Sequence, residues 1–109
     1  AEWGLPPVNY GLIPGYFNPA DQAALDAIWA SREPVAAGTW LLGEVLGMIW
    51  LPDGDHKIIL GEPQNLQSLD MDGLWAWFQG RGPRLLGAEE AIVFIRSLRS
   101  VRDSPAPGH

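Results

Sequence analysis

The chain has 109 residues, 47% of them apolar and 18% charged, with a formal net charge of −6, six tryptophans and no cysteine. Without cysteine there are no disulfides, zinc–thiolate sites or thiol nucleophiles, and no run of 18 apolar residues offers a membrane-spanning helix. The acidic balance disfavours nucleic acid and anionic membranes as partners, because phosphate contacts need clustered lysine and arginine.

A chain of this length makes one domain and can bury a core without metal or disulfide, and with no glycine spacing of the phosphate-loop or dinucleotide kind no cofactor is expected. The charge is uneven. Residues 1–79 carry ten acids against Arg32 and Lys57, whereas residues 80–109 carry five arginines against Glu89, Glu90 and Asp103. This asymmetry suits head-to-tail self-contact or a basic partner.

Residues 1–17 read as an irregular arm, broken by Pro6, Pro7, Gly11, Pro14 and Gly15. The arm is nevertheless apolar, with Trp3, Leu5, Val8, Tyr10, Leu12, Ile13, Tyr16 and Phe17. Such a segment must cover something, either its own core or a second subunit. A single domain is expected over 18–102, followed by a Pro/Gly tail over 103–109. Asn18 as N-cap, Pro19 at N1 and Asp21 in the first turn predict a helix over 19–32. Leu25, Ile28, Trp29 and Arg32 would form its inward stripe, and Pro34 would end it.

Residues 40–51 fit either a helix face or a strand. Gly43 and Gly47 weaken the helix, and the turn signal Pro52-Asp53-Gly54-Asp55 before Lys57-Ile58-Ile59-Leu60 favours an antiparallel hairpin over 40–51 and 56–61. The small glycines would let a helix pack close. Further helices are predicted over 69–79 and 88–101. The first has Met71, Leu74, Trp75 and Phe78 on one face. The second carries Glu89 and Glu90 at its positive end and Arg96, Arg99 and Arg102 toward its negative end. Arg84-Leu85-Leu86 suits a short strand. The fold class is therefore α+β: a small antiparallel sheet built on the hairpin, three helices and an apolar N-terminal arm.

Chemistry is thinly marked. Asp53, Asp55 and His56 are the one local cluster that could hold a divalent ion or orient an imidazole base, but aspartate and glycine are also what a hairpin turn requires. His56 is accordingly expected to be exposed at the turn, without a metal. Glu44, among apolar neighbours, would act as an acid or base if its side of the strand were buried. No nucleophile elbow, phosphate loop or dinucleotide spacing occurs, and no stretch assigns a family. Trp29 and Trp75 fall on predicted core stripes. Trp3, Tyr10, Tyr16, Trp40, Trp50 and Trp77 are the candidate binding or interface residues, since aromatic rings bury much area at low entropic cost.

The expected function is a non-catalytic interaction or ligand-binding module, most simply a homodimer, soluble and cytoplasmic. A basic protein or an apolar small molecule is the expected alternative partner. Two rival functions stand beside it: an acidic inhibitor of a basic toxin or nuclease, and a small enzyme using Glu44 or His56 in an apolar pocket.

Overall fold

A computed structural model describes residues 9–18, 23–31 and 33–103. Five strands form one mixed sheet: β1 (Asn9–Asn18), β2 (Ala23–Ala30), β3 (Glu44–Trp50), β4 (Lys57–Gly61) and β5 (Arg84–Gly87), in the order β1-β2-β4-β3-β5. Three helical segments accompany it: a 3-10 helix over Pro63–Ser68, α1 (Met71–Trp77) and α2 (Ala88–Asp103). The α+β class and the central hairpin hold. β3 and β4 pair antiparallel, with Glu44 opposite Gly61 and Ile49 opposite Lys57.

Two parts of the expectation are corrected. The segment expected to be a helix over 19–32 contains a strand, β2, and the arm expected to be irregular contains β1, antiparallel to it. The reason lies in what surrounds β2. It runs parallel to β4, with Asp26 opposite Lys57 and Ile28 opposite Ile59, so it is an interior strand covered on both faces. Ile28 and Ala30 face one apolar layer and Leu25 the other. Two-sided burial thus overrides the helical spacing of Leu25, Ile28 and Trp29. Asn18, expected as an N-cap, instead ends β1, is buried, and donates from Nδ2 to the Gly54 carbonyl at 3.0 Å. Pro19 and Asp21 lie outside the described residues.

The two core layers lie on opposite faces of the sheet. One joins Ile28, Ala30, Ile49, Leu51 and Ile59 to Leu69, Leu74 and Phe78 from the 3-10–α1 region. The other joins Leu25, Met48 and Ile58 to Ala91 and Leu98 of α2. A register shift between Val45 and Gly47 lets Leu46 and Ile49 serve the first layer while Val45, Met48 and Trp50 serve the second. Gly47 lies where β5 approaches: a Cβ there would stand 2.8 Å from the Leu86 carbonyl oxygen. Gly43 makes room for the Trp29 ring, which a Cβ would meet at 2.7 Å. The glycines therefore admit neighbouring strands and an indole rather than a helix. α1 is capped by Asp70, whose Oδ1 accepts from Gly73 N at 2.9 Å.

Candidate functional site

The chemistry gathers at one end of the sheet, on the face of the first core layer. Alternation along β4 places Lys57 on the side of Ile59, and alternation along β2 places Asp26 on the side of Ile28. The parallel register sets these two residues opposite each other. Lys57 is buried, and its Nζ lies 2.6 Å from Asp26 Oδ2 and 2.8 Å from Asp55 Oδ1. An ammonium removed from water needs such partners.

The β3–β4 turn supplies the second half of the cluster. Gly54 N donates to the Leu51 carbonyl at 2.9 Å, and Gly54 adopts φ +86°, a conformation glycine takes without strain. Asp55 N donates to Asp53 Oδ1 at 3.0 Å. Arg81, from the segment after α1, reaches Asp53 Oδ2 at 2.9 Å and Asp55 Oδ2 at 3.3 Å, with its guanidinium 5.6 Å from the centre of the Phe78 ring. Three carboxylates and two cations thus alternate from β2 through the turn to the α1–β5 connection.

Charges and hydrogen bonds tune the neighbours. The backbone hydrogen bond from Asp55, followed by that from Arg81, holds the Asp53 carboxyl below the usual carboxylate value. Burial alone would lower Arg81, but its bonds to Asp53 and Asp55 outweigh this and raise it. Tyr10, opposite Ile28, is pushed well above the normal phenol value, by burial first and then by the fields of Asp26 and Asp55. Its hydroxyl is therefore a proton-bearing donor at neutral pH. Among the described residues no three acidic or imidazole groups converge as ready metal ligands.

His56 departs from its expected place at the surface. It is 7% exposed, its ring stacks on Trp50 at 5.6 Å and meets the edge of Phe94 at 4.8 Å, and its Nδ1 accepts from Leu51 N at 2.9 Å. It buttresses the turn from the α2 side rather than joining the carboxylates. Burial lowers its pKa, so the ring is neutral. Glu44 is exposed at the start of β3 and lines no cavity described here.

The sequence-selected aromatic residues scatter. Tyr10 packs on the first core layer, and Tyr16 and Trp50 on the second. Trp50 also lies under the Arg84 guanidinium at 5.7 Å. Trp40 precedes β3, 82% exposed, at a cavity of about 500 Å³ whose walls include Tyr10, Ala27, Trp29, Val35 and Leu60. Trp77 is partly exposed on α1, and Trp3 lies outside the described residues. This apolar cavity and the carboxylate cluster are separate features that share Tyr10.

No family model matches the chain, and no curated protein resembles it in sequence. Solved structures do match in shape. The crystal structure of inorganic pyrophosphatase from Ehrlichia chaffeensis superposes with a TM-score of 0.69 at 23% identity, covering 85% of this chain and 69% of that one. Type I inorganic pyrophosphatase from P. falciparum superposes with a TM-score of 0.68 at 17% identity, covering 86% of this chain and 44% of that one. The chain has a pyrophosphatase-like fold.

That likeness corrects the expectation of a non-catalytic interaction module, because both matching structures are of enzymes. The small-enzyme rival stood nearer, although Glu44 and His56 are not the residues gathered here. Asp26, Lys57 and Arg81 went unremarked in the sequence. One signal was present: Lys57 shares its strand face with Ile59, and a lysine on an apolar face requires an acid beside it.

Proposed function

We propose that this pyrophosphatase-like domain binds and hydrolyses a phosphoanhydride of the pyrophosphate type at the cluster of Asp26, Asp53, Asp55, Lys57 and Arg81, with Tyr10 beside it. The observation that carries the reading is the buried Lys57 held between Asp26 and Asp55, in a chain whose fold is shared with two inorganic pyrophosphatases.

The cluster contains the parts that phosphoryl transfer to water requires. Such a reaction is governed by positioning and by neutralising the phosphoryl oxygens. Arg81 offers a planar donor fork at the edge of the cluster, Lys57 a fixed point charge, and the protonated Tyr10 hydroxyl a neutral donor. The carboxylates hold the two cations in place and can take the proton of the attacking water. The water oxygen bonds to one phosphorus, the bridging P–O bond breaks, and the bridging oxygen leaves with the second phosphate. Three carboxylates against two cations leave the cluster net negative, which repels a bare polyanion. The substrate is therefore its complex with a divalent cation, since magnesium is commonly held by one or two carboxylates together with substrate phosphates. A cytoplasmic setting fits a soluble phosphoanhydride substrate.

The test is release of orthophosphate from magnesium pyrophosphate, with magnesium pyrophosphate binding followed by calorimetry. Arg81→Gln and Tyr10→Phe should each lower kcat by roughly 10²–10³-fold, as loss of one preorganised donor does, while circular dichroism is unchanged. Wild-type protein that neither releases phosphate nor binds the complex would overturn the proposal.

A further inference from the structure

β1 is an edge strand whose outer side has no partner among the described residues. Edge strands are usually protected by charge, by proline or by a cover. Residues 9–13, Asn-Tyr-Gly-Leu-Ile, contain neither charge nor proline, and their regular pairing with β2 ends only at the register shift after Ile13. Leu12 on this strand is 63% exposed. The segment before β3 adds Trp40 at 82%, Leu41 at 43% and Leu42 at 98% exposure. Leu12, Trp40 and Leu41 line one cavity, so these residues form a continuous apolar surface along one margin of the sheet.

We infer that this margin is the interface of a two-fold dimer, with β1 of one copy pairing antiparallel to β1 of a second copy about Gly11. The strand complements itself. Pairing centred on Gly11 sets Tyr10 of each copy opposite Leu12 of the other, an aromatic–aliphatic cross-strand pair of the favourable kind. Gly11 leaves room at the axis, since a Cβ there would meet nothing within 4 Å of its own chain. The area is of the right order: with the exposed parts of Leu12, Trp40, Leu41 and Leu42 covered along with the paired strand edges, two copies approach the roughly 1,000 Å² that a specific interface needs. Closed two-fold pairing also consumes the open edge, which a head-to-tail contact would leave available for further growth.

The interface shares Tyr10 with the proposed hydrolytic cluster, and Leu12 stands opposite Asp26 in the β1–β2 register, so the dimer is tested by assembly state and amide protection rather than by phosphate release, and its failure stays distinct from that of the hydrolysis reading. Sedimentation of the full chain between about 1 and 200 μM should show a reversible monomer–dimer equilibrium. In the dimer, the backbone amides on the outer side of residues 9–13 should gain protection from hydrogen exchange. Leu12→Lys, which puts a charge on the edge, should raise the dimer dissociation constant at least tenfold, and Leu42→Asp should do the same without disturbing the strand itself. Leu66→Ser, at an exposed leucine elsewhere on the surface, should leave the constant unchanged. A wild-type monomer at 200 μM, or a dimer unaffected by both Leu12→Lys and Leu42→Asp, would overturn the inference.

Discussion

Lys57 offers the sharpest test of the electrostatic argument. Lys57→Met removes the ammonium and keeps the volume of its stem, leaving Asp26 and Asp55 facing each other without their shared cation. Removing one partner of a buried ion pair costs about 3–5 kcal/mol. The lysine side chain is 6% exposed, but those of Asp26 and Asp55 retain 23% and 24% of their surface in water. That residual hydration places the cost near the lower end, at about 3 kcal/mol. For a domain of this size, such a loss lowers Tm by roughly 12–20 °C. Urea melts at neutral pH would measure it, with Asp26→Asn and Asp55→Asn as the other corners of a mutant cycle. Neutralising all three groups together should recover at least about 2 kcal/mol of the single-variant loss, because isosteric replacement of a whole buried ionic group is often close to neutral. A Lys57→Met variant within about 0.5 kcal/mol of wild type, or three substitutions that simply add, would refute the claim that these residues form one unit.

His56 and Gly43 give two further predictions. The His56 pKa is lowered in the fold, so the unfolded chain binds its proton first. The histidine's contribution is complete above its unfolded value of about 6.5 and declines as pH falls below that toward the folded value. Replacing His56 with Phe keeps a ring between Trp50 and Phe94 but leaves the Leu51 amide unpaired. It should therefore cost about 1–3 kcal/mol at pH 7.5 and flatten the stability profile between pH 7.5 and 5.5, as read by chemical denaturation; an unchanged slope would contradict the assignment. Gly43→Val sets a Cβ 2.7 Å from the Trp29 ring and 2.8 Å from the Gly61 amide nitrogen. It should cost about 1–3 kcal/mol and shift the tryptophan emission, whereas Gly11→Ala, with open space around its Cβ, should leave the monomer's stability within about 0.5 kcal/mol of wild type.

The parts of the fold that were legible in sequence are those set by local signals. The Pro52–Asp55 turn joins two short apolar runs, and that is enough to specify the β3–β4 hairpin. The acidic start of α2 and the stripe of Met71, Leu74, Trp75 and Phe78 likewise name their helices from within a few residues. β2 was misread because its local and distant signals conflict. Asn18, Pro19 and Asp21 resemble a helix start, and Leu25, Ile28 and Trp29 fit a helical stripe. Yet Leu25, Ala27 and Trp29 also alternate with Asp26, Ile28 and Ala30. A strand covered on both faces satisfies that second pattern only when β4 lies parallel to it, more than twenty-five residues later in the chain, and no local rule contains that pairing.

The same long-range register hid the site. Asp26 and Lys57 are 31 residues apart and become partners only through the parallel β2–β4 alignment. Arg81 joins Asp53 only because the segment after α1 returns to the β3–β4 turn. The local cluster Asp53-Gly54-Asp55-His56 was visible, but its members divide between the two faces of the sheet. The aspartates turn toward Lys57 and Arg81, and the imidazole turns toward Trp50, Phe94 and the Leu51 amide. The division follows from chemistry. A neutral ring with one acceptor nitrogen can be buried against aromatic neighbours when a backbone N–H meets that nitrogen, whereas the charged aspartates stay nearer water, Asp53 at 57% and Asp55 at 24% side-chain exposure, and pair with the cations there. The turn therefore serves as a partition, with an apolar side that anchors it to α2 and a charged side that presents Asp53 and Asp55. A reading that treats the four residues as one metal or base site misses this, and the combination of a buried Lys57 with a buried His56 next to it in sequence is what reveals it.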